Sequence, residues 1–408
     1  MTTPSPVSGL GDSKTKLAIL AMAIGSFGIG TGEFAIMGLL RNLAGDLQIS
    51  IQDAGHVISA YALGVVVGAP LFAILFARTP RKPLMIWLMG LFVIGNIGSA
   101  LAPDYWSLLG LRFLSGLPHG AYFGIAALVA ASMVDTGYRA RAVGRVMLGL
   151  TIATLIGMPL ATWLGQYMGW RPTFAGVGVV GALAVLMIFR FVPDLKLAEG
   201  ASPLTELSAL RRPQVWLTLG ICAVGCGGMF SVFTYVDPLL IDVAHIPQVW
   251  VPLVLALFGV GMTLGNILGA AMADKALMPT IGGMLAFNVI SLAVIPWTAQ
   301  LWLTAALSVF LVGFTVAIGT ALQTRLMDVA ADGQTLAATL MHAAFNTANA
   351  LGALLGGMAI GAGWGPASTG PVGAVLALGG LVLFVISALL DKRQSRWQPL
   401  DVVPQPAE

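Results

Sequence analysis

The sequence predicts an all-α membrane protein with twelve transmembrane helices in two pseudo-symmetric six-helix bundles, and three observations predict it. The first is composition. Of 408 residues, 58% are hydrophobic, only 9% are charged and 51 are Gly. Soluble domains carry about 25% charged residues and about 7% Gly, so a soluble enzyme and a disordered chain are both excluded. The second is the number of apolar runs: one span needs about 20 residues, and the chain holds twelve such runs. The third is the sorting of Lys and Arg between alternate connections.

The runs lie at 17–40, 53–77, 83–102, 107–133, 142–164 and 172–191, then at 214–238, 248–273, 279–298, 301–324, 335–362 and 371–390. Charge, Gly/Pro and turn residues separate them. Span one is too long for the apolar region of a removable signal peptide and reads as an uncleaved first helix. Span two starts with Ser50-x-x-Asp53, a capping-box pattern. Span seven holds Cys222 and Cys226, whose spacing suits small buried hydrophobes rather than a disulfide or zinc site. It ends at Asp237-Pro238, which reads as a helix terminus. Residues 1–16 and 391–408 are expected as tails, and 192–213 as a linker between halves 17–191 and 214–390.

Seventeen of the 20 basic residues fall on one side, from Lys14 and Lys16 through Arg78, Arg81 and Lys82 to Lys275, Arg325 and Lys392. Arg41 and Arg171 fall on the other, and Arg112 lies inside span four. This asymmetry places both termini in the cytoplasm, and an odd number of spans would spoil it. An internal repeat supports the division into halves. At a shift of 197 residues Gly28, Gly30, Gly64, Gly68 and Gly116 fall on Gly225, Gly227, Gly261, Gly265 and Gly313. Duplicated halves are common in transporters that rock two bundles about a central site.

The stretch from Gly32-Glu33-Phe34 to Leu40, followed by Ala44 and Asp46-Leu47, resembles the major facilitator superfamily. More narrowly it is similar to the drug:proton antiporter branch, which holds arabinose-efflux-permease-like and chloramphenicol-resistance-like exporters. Ala54-Gly55-His56 through Ser59-Ala60-Tyr61 to Gly68-Ala69-Pro70 resembles that branch in span two. Arg112-Phe-Leu-Ser-Gly116 matches the superfamily's fourth-span motif, and Trp170-Arg171 with Phe174 its start of span six. The resemblance covers essentially the whole chain and implies the major facilitator fold. Three departures stand out. Ala77 replaces the Asp of the loop motif after span two, although Asp274 keeps an acid in the second half. Gly157-Met158-Pro159 replaces the adjacent Gly-Pro of the antiporter motif, and Arg41 stands where the branch often has Pro.

Glu33 is the first candidate for the chemistry. It is the only acid deep in a predicted span, about 10 Å from the outer end at 1.5 Å per residue, and such groups are costly and usually functional. A carboxyl held away from water can load a proton on one side and release it when its surroundings change; the alternative is a carboxyl bonded structurally to a neighbouring helix. Arg112 enters from the same side to about 8 Å, which puts both in one layer. It is expected to pair with Glu33, or with helix-end carbonyls as a fixed strut. His119, seven residues on, shares a face with Phe123. It reads as a second proton carrier or as a buried neutral His bonded to a carbonyl.

His342, Asn346 and Asn349 form one polar stripe on span eleven, suited to cavity lining or to interhelical hydrogen bonds. Met37, Phe123, Phe230 and Phe233 are expected to line the substrate cavity with that stripe. Arg78, Arg81, Lys82, Asp274 and Lys275 are expected to form a cytoplasmic gate. The small-residue pairs Gly64/Gly68, Gly261/Gly265 and Gly352/Gly356 suit close helix approach. The resemblance places spans two, five, eight and eleven across the two halves, where such faces would slide; static packing is the other reading. No phosphate loop, H-E-x-x-H pair or zinc-spaced cluster appears.

The expected function is therefore a proton-coupled antiporter that exports small drugs or sugar-related metabolites by alternating access. It would act as a monomer in the bacterial inner membrane, with the proton gradient as energy source and no cofactor. Its partners would be substrate, protons and lipid, with no nucleic acid and no enzymatic activity. A proton-coupled importer or facilitator is the alternative, and a transport-inactive sensor or assembly subunit is the reading from another class.

Overall fold

A computed structural model describes residues 12–76, 79–135, 139–194, 208–330 and 334–396. Among them, eleven helices are long and apolar enough to cross a membrane, with spans one to four at Ser13–Gly38, Ile51–Phe72, Arg81–Leu101 and Tyr105–Ser132. Spans five to eight are Ala142–Met168, Trp170–Phe191, Pro213–Thr234 and Gln248–Ala273, and spans ten to twelve are Trp302–Ala330, Thr339–Trp364 and Pro366–Asp391. Span nine, Leu277–Ala293, is shorter. It was expected to reach 298. The helix instead breaks at Val294, and a single turn Ile295–Thr298 begins with Pro296 near its start, where the missing N–H does no harm.

The halves repeat one packing scheme. In the first, span one packs on five and six, two on four and three on six. In the second, seven packs on eleven and twelve, eight on ten and nine on twelve. Across the halves, span two meets eleven and span five meets eight. The glycine pairs do not lie on that seam, which corrects the sliding reading. A side chain at Gly64 or Gly68 would strike the carbonyls of Phe113 and Leu117 on span four. At Gly261 or Gly265 it would strike those of Phe310 and Phe314 on span ten, the same positions at the 197-residue shift. Gly352 and Gly356 pack against span seven. These glycines hold each half together. The cysteines are free and buried, as their spacing suggested.

Span five carries a π-helical segment, Ala153–Gly157, where Met158 N–H donates to the Ala153 carbonyl. Pro159, which follows directly, has no N–H for the ladder. Ser50 caps span two by accepting from Asp53 N–H at 3.1 Å, so Asp53 sits in a helix cap.

The end holding Ser13 and Asp391 is termed proximal, and the opposite end distal. One distal element was not anticipated. Span one ends at Gly38, two residues early, and Leu40–Leu47 forms a separate short helix. Leu40, Leu43 and Ala44 are its buried face, at the i, i+3, i+4 spacing of an amphipathic helix. Asp46 on its outer face accepts from Trp170 Nε1 at 2.9 Å and pairs with Arg171, clipping the helix to the start of span six. The Arg171 hydrogen bond holds the Asp46 carboxyl below its ordinary 3.8. A lowered carboxylate value stabilises the fold above the ordinary value and loses that contribution as pH falls through the lowered one. Both partners are more than a third exposed, so the pair contributes less than about 1 kcal/mol. Asp46→Asn is therefore expected to lower the unfolding temperature slightly at pH 7, and the difference from wild type should vanish in strong acid.

Candidate functional site

The polar centre is built where spans one, two and four of the first half meet span eleven of the second. Arg112 is fully buried and Glu33 only 4% exposed. Arg112 Nη2 donates to the Gly32 carbonyl at 2.9 Å, in the layer the sequence placed it. Its guanidinium lies over the rings of Tyr61, at 4.4 Å, and Phe174, at 4.9 Å. No ion pair joins Arg112 to Glu33 within 4.0 Å, so of the two expected partners it is the backbone carbonyl that Arg112 takes. Arg112 Nε and Nη1 have no hydrogen-bond acceptor, a costly arrangement for a buried cation.

His119 Nδ1 lies 4.0 Å from Glu33 Oε2 and 3.0 Å from the Tyr61 hydroxyl. The carbonyl partner expected for His119 is thus replaced by a phenol. From His119 the cluster continues to Phe123, which stacks on His342 at 5.3 Å and 6°. Asn349 lies beside the Glu33 carboxyl, yet both atoms of its amide lack a hydrogen bond. Asn346 Nδ2 donates to the His342 carbonyl at 3.1 Å, which spends one donor within span eleven. Asn346 and Asn349 are buried and His342 is half-buried.

Other candidates lie apart from this centre. Phe230 packs edge-on to Phe345 at 5.1 Å, and Phe233 stacks on Phe258 with centroids 3.5 Å apart. Phe34 approaches Phe233 from span one at 6.1 Å. Met37 is buried in the same apolar cluster. Among the gate candidates, Lys82 lies 4.0 Å from Asp194 of its own half and over the Phe189 ring. Lys275 is exposed in the last turn of its helix. Arg78 lies outside the described residues, as does the Asp274 side chain.

Tyr61, which joins His119 to Arg112, was missed. Its signal was a phenol in an apolar span, where a hydroxyl needs a partner. A second buried acid, Asp237, lies beyond the end of span seven. The repeat makes the two halves unlike in chemistry. At the 197-residue shift Glu33, Tyr61, Arg112 and His119 fall on Phe230, Phe258, Val309 and Val316. The first half carries the ionisable cluster, and the second answers with aromatic and aliphatic side chains.

The Major Facilitator Superfamily model matches residues 22–357. The inner membrane transport protein YdhP of Escherichia coli K12 is 42% identical over 378 residues, covering 92% of this chain and 97% of that protein. The chloramphenicol resistance protein of Streptomyces lividans is 30% identical over 374 residues, covering 90% of this chain and 93% of that protein. Among solved structures, a bacterial homologue of the human lysosomal transporter Spinster superposes with a TM-score of 0.69 at 17% identity. That match covers 95% of this chain and all of the other.

Proposed function

The chain belongs to the major facilitator superfamily and is a membrane transporter rather than an enzyme, and from that premise we propose that it exports small apolar or amphipathic compounds in exchange for protons. Glu33 carries the reading: a buried carboxyl 4.0 Å from a His, near an Arg already engaged by a carbonyl, and facing Asn349 of the other half. Rocking the halves would change what surrounds that carboxyl, and so its affinity for a proton. Bound substrate and bound proton would then compete for one arrangement, which is the requirement for antiport. The aromatic side chains of the second half, Phe230 and Phe233 among them, suit an apolar substrate, with the Met and Phe content favouring adaptable contacts. The name of the Streptomyces relative supports drug export. The basic asymmetry supports cytoplasmic termini, and the E. coli relative supports the bacterial inner membrane. The unit would be a monomer that needs only substrate, protons and lipid, with no cofactor or nucleic acid.

The test is transport by the purified protein in proteoliposomes, after a thermal-shift screen has identified a binder. Efflux of that compound should follow an imposed pH gradient and stop when an ionophore dissipates it. Indifference to the gradient would overturn the proposal. A second reading, an importer or facilitator, rests on Gly157-Met158-Pro159 in place of the antiporter motif; counterflow with the gradient imposed in each direction separates the two. Failure of every compound to bind would favour a transport-inactive sensor.

A further inference from the structure

We propose that Asp237 is a second proton-binding carboxyl, built into the distal seam between the halves and titrating as that seam opens. Asp237 lies beyond the end of span seven, in the turn Val236–Pro238, and is fully buried. Its Oδ2 accepts the backbone N–H of Arg41 at 3.3 Å, across the seam, while Oδ1 has no partner. The Arg41 side chain is engaged elsewhere, in an ion pair with Asp242. Arg41 therefore bridges the halves twice, by its backbone to Asp237 and by its guanidinium to Asp242.

The groups facing Asp237 are few. From Leu40–Leu47 the facing charge is Arg41, since Asp46 is taken by Trp170 and Arg171, and from Leu239–Val243 it is Asp242. The segments Ala35–Gly38 and Gly227–Thr234, which also pack on it, carry no titratable residue. Nearby, Gln248 Nε2 donates to Asn42 Oδ1 at 3.4 Å, also across the seam. A closed seam thus confines one carboxyl with a single long hydrogen bond and one empty acceptor. Burial raises its affinity for a proton, to about 7 against the opposing pull of Arg41. Separation of the distal ends would admit water, whose solvation of the carboxylate outweighs the lost Arg41 N–H and favours the ionised form. Protonation of Asp237 would then close the seam, and ionisation would release it. The same geometry gives a role to Arg41, which stands where the resembling branch often has Pro. A Pro there would supply neither bridge.

A role for this step in transport rests on the proton-coupled reading, but the titration can be read without substrate or gradient. Spin labels on Gly45→Cys and Val249→Cys, both exposed and on opposite sides of the seam, report its width by electron-electron resonance between pH 5 and 9. In lipid nanodiscs the wild type should pass from a short to a longer distance with a midpoint near 7. Asp237→Asn, which mimics the protonated form, should stay short throughout. Arg41→Pro, which removes both bridges and so weakens the closed seam, should move the midpoint downward. Glu33→Gln should keep a pH response of the seam even where it abolishes gradient-driven transport. A wild type that does not respond to pH, or an Asp237→Asn that titrates like it, overturns the proposal. So does loss of the response in Glu33→Gln. If Asp237→Asn fails to fold, an unmoved midpoint in Arg41→Pro overturns it instead.

Discussion

Glu33→Gln, reconstituted in liposomes, is expected to lose gradient-driven export by at least about tenfold, equivalent to about 1.4 kcal/mol in the coupling step, while substrate counterflow continues. Gln keeps the shape of the carboxylic acid but cannot release a proton, so the site would be fixed in its loaded form. Counterflow needs only alternating access and should survive. Folding should change by less than about 1 kcal/mol, because the shape is preserved and no ion pair to Arg112 within 4.0 Å is lost. Arg112→Met serves as the contrast. It removes a buried cation that holds span four to the Gly32 carbonyl, and it leaves that carbonyl unpaired in the core, at about 1–3 kcal/mol. A loss of coupling with intact stability in Glu33→Gln, beside a loss of stability in Arg112→Met, would separate proton carrier from strut. Unchanged gradient-driven export in Glu33→Gln would remove Glu33 from the mechanism.

The elements most legible in the sequence were those set by local composition. Twelve apolar runs and the Ser50 cap depend on residues close in the chain; the cap forms at Ser50, and each run is a helix whose ends differ from its pattern by about six residues at most. Glu33 and Arg112 could be assigned to one layer because depth along a helix follows from residue count alone. What could not be read depends on helix rotation and on partners far apart in sequence. Tyr61 reaches His119 across 58 positions, and Arg41 reaches Asp237 across 196. The short helix Leu40–Leu47 looked like the end of span one because its buried Leu residues continue the apolar run. The glycine pairs were visible, but which neighbour each one faced was not. Spans two and eight each touch both the partner half and their own, and a small residue suits either contact.

That last ambiguity sets the largest stability effect. Gly116 packs so closely on span two that an added Cβ would overlap the Tyr61 carbonyl, and Gly313 stands in the same relation to the Phe258 carbonyl. A backbone oxygen cannot rotate aside as a flexible side chain can, so Gly116→Ala must push spans two and four apart. The expected cost is about 1–3 kcal/mol, read as a lower unfolding temperature in detergent. Separation would also disturb Tyr61, whose hydroxyl bonds His119 and whose ring lies under Arg112, so transport should fall with stability. Gly313→Ala should cost about as much, but it touches no ionisable group of the cluster, because Phe258 replaces Tyr61 in the second half. The two sites lie in different halves and share no packed neighbour. The double variant should therefore lose the sum to within about 0.5 kcal/mol. Gly144→Ala and Gly283→Ala supply the opposite sign: both positions are helical and exposed, with open space where a Cβ would go. There the smaller conformational freedom of Ala in the unfolded chain should stabilise by about 0.4–1 kcal/mol. If Gly116→Ala and Gly313→Ala behaved like these two, close packing within each half would not be what those glycines provide, and the sliding reading would return.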